Sequence, residues 1–280
     1  MIIIDMNQIA VANLMMNLKM NDSKTIDENM VRHMILNSIR MYRMEHHDEY
    51  GEVVLTWDSK HSWRRDYFPE YKASRRKGRE ESDLNWDDIF GTLNKIRNEI
   101  KENFPYKYLE VFGAEADDII GFLCEENRDE KILIISGDKD FIQLQKFPNV
   151  KQWSPITKKD VNGFNPTTYL KEHILKGDTS DGVPNVLSPD NTFVDGLRQR
   201  PLSRKKIQSW LIGGGSDWND EVKRNFQRNS TLIDLSRTPE ELKNQIRLEY
   251  NNAPHGDRSK LLNYFMQNKL KELTENIGEF

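Results

Sequence analysis

Short apolar runs alternate with longer stretches of helical periodicity over the first 170 residues. The apolar runs predict buried strands at residues 2–5, 52–57, 107–112 and 131–136. Between them, amphipathic patterns predict helices at residues 27–46, 83–101 and 115–126. Because strands and helices alternate, we predict an α/β fold with a mostly parallel central sheet flanked by helices on both faces.

The pattern changes after about residue 170, where the strand-like runs stop. Gly, Pro, Asn and Asp fill residues 181–201. Helical patterns then cover residues 203–213, 219–236, 239–249 and 258–275. The sequence therefore predicts two domains, an α/β domain at residues 1–170 and a smaller all-helical domain at residues 171–280.

Composition indicates the cellular environment in which the protein is expected to act. The chain has 280 residues, 36% hydrophobic and 31% charged, with a net charge of -4. Cys124 is its one cysteine, so no intrachain disulfide is possible. No apolar run approaches the length of a membrane span, and the amino terminus lacks the pattern of a signal peptide. We expect a soluble cytoplasmic protein without membrane contact.

Acidic residues cluster where predicted strands end, where a helix begins, and in one later polar loop. The nine acids are Asp5, Asp58, Glu115, Asp117, Asp118, Asp138, Asp140, Asp178 and Asp181. Carboxyl ends of parallel strands meet at one edge of a sheet, so these acids are expected to share a crevice. Two unit charges about 4 Å apart repel by roughly 4 kcal/mol at an effective dielectric near 20. The crevice must therefore take up protons or hold hard divalent cations, with Mg²⁺ or Mn²⁺ favoured by oxygen ligands.

Each cluster also has a simpler explanation. Acids at a helix start complement the helix dipole, worth about 0.3–1 kcal/mol each, and Gly137-Asp138 is ordinary turn chemistry. Three acids within four positions exceed what helix capping needs, and the joint occurrence of all five clusters favours a metal site. The six histidines are scattered, and none is assigned to the metal.

Basic and aromatic residues interleave directly after Asp58, in residues 60–79. A solvated surface loop is the simple interpretation of such a run. Aromatic side chains among the cations, however, are typical of nucleic-acid contacts, because stacking is worth about 1–3 kcal/mol per base. A second basic stretch, around Arg204, Lys205 and Lys206, leads into a predicted helix, and here the surface-helix interpretation has equal weight.

These motifs resemble the 5′-nuclease superfamily of flap endonucleases, polymerase I 5′-nuclease domains and phage 5′-exonucleases. Residues 64–75 resemble its helical arch. The motifs Glu115-Ala116-Asp117-Asp118, Gly137-Asp138-Lys139-Asp140 and Gly177-Asp178-Thr179-Ser180-Asp181 resemble its acidic motifs and the opening of its helix-three-turn-helix. Within the superfamily, the phage RNases H of the T-even type are most similar, through residues 30–39, 63–66, 131–136, 149–155 and 276–280.

The resemblance implies a PIN-like core with a basic arch at about residues 60–82 and a carboxy-terminal DNA-binding domain with a modified helix-three-turn-helix. It implies hydrolysis of phosphodiesters at 5′ ends of DNA and RNA on duplexes, including flaps and RNA primers in phage DNA replication. Two Mg²⁺ ions, replaceable by Mn²⁺, would take part. Asp5, Asp58, Glu115, Asp117 and Asp138 are implied for the first metal, Asp140, Asp178 and Asp181 for the second, with Asp118 unassigned between them.

The resemblance also assigns roles outside the metal ligands. Lys72 and Arg64 would stabilise the transition state beside Asp117 and Asp138, and Tyr71 or Tyr67 would stack on a frayed base. The implied nucleic-acid contacts are Arg64, Arg65, Tyr67, Tyr71, Lys72, Arg75, Arg76, Lys77, Arg79, Arg204, Lys205 and Lys206. A monomer in the bacterial host cytoplasm is implied, with a single-strand-binding protein and a sliding clamp as suggested partners. Cellular members carry a Gly-rich hairpin that often binds K⁺, and residues 185–200 depart from it, which argues against a K⁺ site.

Three other functions agree less well with the sequence. A catalytically inactive nucleic-acid-binding protein of the same fold is disfavoured by the complete set of acids. A haloacid-dehalogenase-type phosphatase needs a second Asp two residues after the first, and that position is Asn7. A different metal nuclease on the same sheet would lack the arch and the carboxy-terminal helices.

Overall fold

The computed structural model describes residues 1–20 and 25–280. Its sheet has the strand order β3-β2-β1-β4-β5-β6, with β6 antiparallel to β5 and every other pair parallel. The strands are β1 (Ile2–Asp5), β2 (Val53–Thr56), β3 (Lys107–Leu109), β4 (Ile132–Ile135), β5 (Val150–Ser154) and β6 (Lys159–Asp160). The predicted mostly parallel sheet with flanking helices is confirmed.

Helices connect the strands and then form the rest of the chain. In the first half these are α1 (Met6–Met20), α2 (Glu28–Tyr50), α3 (Trp63–Tyr67), α4 (Ser74–Glu80), α5 (Trp86–Asn103) and α6 (Ala116–Glu126). In the second half they are α7 (Pro166–Lys176), α8 (Arg204–Gly213), α9 (Asp220–Ile233), α10 (Glu240–Asn252), α11 (Leu261–Gln267) and α12 (Lys271–Glu275). Short 3₁₀ segments lie at Lys139–Lys146, Asp190–Thr192, Leu235–Arg237 and Ile277–Glu279. Within the described residues, no helix is long and apolar enough to cross a membrane.

Two differences from the predicted elements have local causes. The helix predicted over residues 258–275 is divided between α11 and α12, where Lys269 adopts a positive φ of 55°. The sequence pattern did not predict α1, whose apolar residues are spread around the helix instead of along one face. By contrast, α2 begins close to its predicted start, where Asp27 caps the helix and accepts a hydrogen bond of 3.0 Å from the Met30 backbone N–H.

The sheet separates two hydrophobic cores because side chains alternate between its faces. Ile2 and Ile4 pack on one face with α1, α2 and α5, and Ile3 packs on the other with α6. The carboxy-terminal segment returns to this sheet: Phe280 joins the first core and α10 the second. Residue 170, where the sequence predicts a domain boundary, lies within α7, which packs against both the Lys139–Lys146 segment and α9. The predicted division stays a prediction.

The strand order places the predicted acids together. The chain builds β1, β2 and β3 outward on one side and then crosses back, through α6, to β4 beside β1. Such a reversal leaves a crevice at the carboxyl ends of the central strands. Asp5 ends β1, and Asp58 and Asp138 follow β2 and β4.

Candidate active site

A cleft of about 740 Å³ opens at the carboxyl edge of the sheet. Eight of the nine predicted acids line it: Asp5, Asp58, Glu115, Asp117, Asp138, Asp140, Asp178 and Asp181. Residues 60–79, here called the basic segment, contribute cations to the same cleft. These are Lys60, Arg65, Lys72, Arg75 and Arg79. Distant stretches of the chain therefore converge on one cavity that carries both acids and bases.

Asp5 and Asp117 lie beside other acids of the cleft. Asp5 accepts hydrogen bonds from the Gln8 backbone N–H at 3.2 Å and from Ser136 Oγ at 3.0 Å. Burial, aided by repulsion from Asp58 and Asp138, nevertheless raises the pKa of Asp5 to about 7. Burial and the Asp138 charge raise the pKa of Asp117 well above its usual range. The fold thus holds these carboxylates close together without neutralising them.

Backbone hydrogen bonds fix the orientation of two further acids. Asp58 Oδ1 accepts from the Ala116 N–H at the start of α6, at 2.8 Å. Asp138 Oδ1 accepts from the Asp140 N–H at 2.9 Å and so caps the 3₁₀ segment that follows β4. Burial raises the pKa of both carboxyls. The first residue of α6 therefore orients Asp58, and the start of the 3₁₀ segment orients Asp138.

Glu115 has a different environment, because the basic segment neutralises it. Lys72 Nζ lies 2.6 Å from Glu115 Oε1, and Arg64 Nη1 lies 3.1 Å from Oε2. Although burial alone would raise it, Lys72 and Arg64 bring the pKa of Glu115 down to about 2. Glu115 is thus ionised over the physiological range.

Arg64 and Asp118 form a buried ion pair outside the cleft, which corrects two predictions. The Arg64 side chain is 2% exposed, and its Nη1 and Nη2 donate to Asp118 at 2.8 and 2.9 Å. Its Nε donates to the Leu232 carbonyl, and Thr238 Oγ1 donates to Asp118 at 2.7 Å. Asp118 is therefore not placed to bind a metal, and Arg64 is not placed to touch nucleic acid or a reacting phosphate. The pair instead anchors α3 to α6.

The Tyr71 prediction is also corrected, and the neighbouring Lys72 has an unusual backbone conformation. The Tyr71 hydroxyl is buried, 2.8 Å from Glu115 Oε2 and 2.7 Å from Asp181 Oδ2, so the ring is not available for base stacking. Lys72 has a positive φ of 56°, a conformation that costs about 1–3 kcal/mol. Its backbone N–H donates to the Asp181 carbonyl at 2.7 Å, and its ammonium enters the cleft. Tyr67 is 48% exposed and remains the predicted stacking residue.

The other predicted nucleic-acid contacts fall into three places. Arg65, Arg75 and Arg79 line the cleft, and Arg75 Nη2 lies 2.5 Å from Asp181 Oδ1. Arg76 is on the surface, where it pairs with Glu80 at 2.9 Å. The remaining three, Arg204, Lys205 and Lys206, are exposed in the first turn of α8. The side chain of Lys77 lies outside the described residues.

His173 is a site residue that the sequence did not reveal. Its Nδ1 lies 3.3 Å from Asp140 Oδ1, and its Nε2 lies 3.4 Å from Asp178 Oδ2. Burial raises the pKa of Asp140 to about 7 despite His173, whereas hydrogen bonds from His173 and Ser180 hold the pKa of Asp178 below its usual range against the effect of burial. The available signal was its position in the last turn of α7, directly before the Gly177-Asp178 motif.

A tight loop presents Asp178 and Asp181 to the cleft. The Asp178 and Val183 backbones exchange hydrogen bonds of 2.8 and 2.7 Å. Gly177 has a φ of 68°, and a Cβ there would lie 2.3 Å from the Val183 carbonyl oxygen. Because only glycine fits there, Gly177 is required for the loop itself.

Side chains of α9 hydrogen-bond to carbonyls of residues 184–188, the segment that follows the Asp178–Val183 loop. Asn225 Nδ2 donates to the carbonyls of Val186 and Ser188 at 3.0 and 3.2 Å. Arg228 Nη2 donates to the Pro184 carbonyl at 2.8 Å. These carbonyls already have protein donors, which is consistent with the expected departure from K⁺ binding. That expectation stays a prediction.

The donor set of the cleft fits divalent cations. Eight carboxylates supply hard oxygen ligands. Burial raises the pKa of Asp5 and of Asp140 to about 7, so a cation bound beside them would favour their charged forms. Asp140, His173 and Asp178 also offer three ligand atoms within 4.8 Å of one another. The cleft can therefore hold cations and, beside them, a phosphate.

Comparison with known proteins assigns the family. A model of the N-terminal resolvase-like domain of 5′-3′ exonucleases matches residues 1–174, and a model of the C-terminal region of T4 RNase H matches residues 166–280. The ribonuclease H of Enterobacteria phage T4 is 35% identical over 296 aligned residues, covering 99% of this chain and 95% of the phage protein. The chain belongs to the 5′-3′ exonuclease family. It is a nuclease, and the resemblance seen in the sequence is confirmed.

A further relative and two solved structures extend the comparison. A 5′-3′ exonuclease of Buchnera aphidicola is 32% identical over 145 residues, 48% of each chain. The phage T5 flap endonuclease, solved in a complex with DNA and metal ions, has a TM-score of 0.62 at 15% identity, covering 89% of this chain and 97% of the T5 chain. A T5 structure with metal ions has a TM-score of 0.60 at 15% identity and covers 99% of this chain and 98% of the other. At these identities the T5 structures show a shared fold.

Proposed function

We propose that this 5′-3′ exonuclease family member uses divalent cations to hydrolyse phosphodiesters at 5′ ends of DNA and RNA on duplex substrates, flaps included. It would remove RNA primers during DNA replication. The observation that carries the proposal is the convergence of eight carboxylates, some of them not neutralised by the fold, in a cleft that Lys72, Arg75 and Arg79 also line. Acids that hold cations beside bases that hold phosphate describe a phosphodiester site.

The acids of the cleft form two proposed cation sites. Asp5, Asp58, Glu115, Asp117 and Asp138 would hold the first, and Asp140, Asp178 and Asp181 the second. Mg²⁺ or Mn²⁺ at these positions would supply a water activated for attack and neutralisation of the phosphate charge. The carboxylates position these charges, and their backbone hydrogen bonds keep them oriented before substrate arrives.

Lys72 is the cationic residue best placed to act on the reacting phosphate. Its ammonium contacts Glu115 at 2.6 Å and lies 3.6 Å from Asp181 Oδ2, between acids of the two proposed cation sites. The Lys72 ammonium at this position would stabilise negative charge that develops on the phosphate oxygens in the transition state. Arg65, Arg75 and Arg79 on the cleft wall would bind flanking phosphates, and Tyr67 would stack on a base.

The start of α8 supports a wider nucleic-acid contact. Arg204, Lys205 and Lys206 occupy the first turn of this helix. Cations at that end oppose the helix dipole, at a cost of about 0.3–1 kcal/mol each. A phosphate backbone lying against this turn would offset the unfavourable interaction between these cations and the helix dipole.

We further propose that the protein acts as a monomer in a bacterial cytoplasm, with a single-strand-binding protein and a sliding clamp as partners.

A cleavage panel tests the proposal. The substrates are a 5′ overhang, a flap, a nick and an RNA–DNA hybrid, each assayed with Mg²⁺, with Mn²⁺ and with EDTA. We expect cation-dependent release of products from the 5′ end. Tight binding of these substrates without cleavage under any cation would instead support the alternative, a nucleic-acid-binding protein that has lost catalysis.

A further inference from the structure

His173 lies between two acids of the proposed second cation site, and its ring is held in place there. The side chain is 15% exposed, in the last turn of α7. The Tyr169 ring packs edge-on against it at a centroid distance of 5.9 Å. One ring nitrogen faces Asp140 and the other faces Asp178, at 3.3 and 3.4 Å. The imidazole is therefore part of the wall of this site.

The geometry at Nδ1 differs from that of an ordinary hydrogen bond. Nδ1 is shielded from solvent and close to Asp140 Oδ1, yet within the described residues it has no partner aligned for hydrogen bonding. The ligand atoms of Asp140, His173 and Asp178 lie within 4.8 Å of one another. Ligands about 2.0–2.2 Å from a first-row cation are separated from each other by roughly 3–4 Å. Small side-chain rotations would thus close the three groups around one ion.

We propose that His173 supplies an imidazole nitrogen to the second cation site, which therefore prefers Mn²⁺, Co²⁺ or Zn²⁺ to Mg²⁺. Carboxylate and water ligands suit Mg²⁺, whereas imidazole suits borderline transition-metal ions. One ring nitrogen would bind the ion, and the other would hydrogen-bond to a neighbouring carboxylate and orient the ring. This inference rests on the proposed function only in requiring that Asp140 and Asp178 bind a cation.

Pulsed electron paramagnetic resonance of the full chain loaded with Mn²⁺ tests the inference without measuring cleavage. A bound imidazole produces ¹⁴N modulation of the Mn²⁺ echo. We expect this modulation in the wild-type protein and its loss in His173→Asn. The control His255→Asn, which removes an exposed histidine on the loop before α11, should retain it. Unchanged modulation in His173→Asn, or none in wild-type protein with both sites filled, overturns the inference.

Two further measurements complete the test. Labelling the histidines with ¹⁵N should replace the ¹⁴N modulation by that of ¹⁵N, and this needs no substitution that might impair folding. Calorimetry should show that His173→Asn weakens Mn²⁺ binding at one site by on the order of 10–100-fold, with a smaller effect on Mg²⁺. Equal losses for the two ions contradict the proposed selectivity. Nitrogen ligation in a protein that cleaves nothing would refute the nuclease proposal alone, and cleavage by a protein without nitrogen ligation would refute this inference alone.

Discussion

Two groups of acids in this chain carry the same charge and have opposite environments. The paired acids, Glu115, Asp118 and Asp181, bond to Arg64, Lys72 or Arg75 of the basic segment. The open acids are Asp5, Asp58, Asp117 and Asp138, and none of them belongs to an ion pair in the described part of the chain. The pKa of Glu115 falls to about 2, whereas burial raises that of Asp5 to about 7.

The contrast separates what the acids do for folding from what they do for function. A paired acid stabilises the fold, because its removal leaves a buried cation without a partner. An open acid destabilises the fold by repulsion and desolvation, and a bound proton or cation relieves this cost. Substitutions in the two groups should therefore change stability in opposite directions.

The largest effect is expected from an open acid. Asp117→Asn or Asp138→Asn should lower the cleavage rate by at least 10²–10³-fold, on the order of the loss of a major electrostatic contact in an active site. In EDTA the same variants should unfold at the same or a higher denaturant concentration than wild type, because repulsion is relieved. Rates come from the flap assay, and midpoints from urea unfolding.

Asp129→Asn is the matched control for these variants, since Asp129 is exposed in the turn between α6 and β4. It should change neither quantity. An Asp117→Asn or Asp138→Asn protein with undiminished cation-dependent cleavage would contradict the assignment. A large loss of stability in EDTA would place that residue among the paired acids.

The next effect concerns the paired group. Arg64→Met removes the partner of buried Asp118 and should cost about 3–5 kcal/mol of unfolding free energy, the usual result of breaking a buried ion pair. Arg76→Met, which breaks the exposed pair with Glu80, should cost no more than about 1 kcal/mol. Urea unfolding in EDTA measures both. Equal stabilities of the two variants would show that the pair around Asp118 is not structural.

The sequence predicted the open acids better than the paired ones, and the reason is physical. Asp5, Asp58 and Asp138 come directly after strands, so the local pattern and the parallel sheet are enough to bring them together. Asp117 and Asp118 are adjacent at a helix start, where side chains point about 100° apart. Which of the two faces the cleft depends on packing against α3 and Thr238, and the local pattern does not contain that information.

The same limit explains Tyr71 and His173. Tyr71 sits in a basic, aromatic segment whose composition is typical of nucleic-acid binding, yet its hydroxyl is buried against Glu115 and Asp181. His173 approaches Asp140 only because α7 packs on the Lys139–Lys146 segment. Contacts between distant elements decide both positions, whereas composition and periodicity report on neighbours in the sequence.

A smaller effect, on rate alone, is expected at the junction of the two groups. Lys72→Ala should lower the rate of cleavage by about 10²-fold, because in the proposed mechanism its ammonium stabilises charge that develops in the transition state. Substrate affinity should fall much less. Arg76→Ala, which removes an exposed cation of the same segment, should mainly weaken binding. Single-turnover rates and binding titrations separate the effects, and equal losses of rate and affinity in Lys72→Ala would contradict its role.

The smallest expected effect is a pH dependence of stability that distinguishes the two groups directly. The folded-state pKa of Asp5, about 7, lies above its ordinary value of 3.8. The folded protein therefore binds this proton more tightly than the unfolded chain does, and the associated stability, complete below pH 4, is lost as the pH rises through 7. In EDTA the melting temperature should fall between pH 5 and pH 8, and Asp5→Asn should flatten this slope while Asp129→Asn leaves it unchanged. Added Mn²⁺ should stabilise the wild type more at pH 8 than at pH 6, because the cation competes with the proton for the open acids. A slope that Asp5→Asn does not alter would mean that other groups, and not the open acids, carry the uncompensated charge of the cleft.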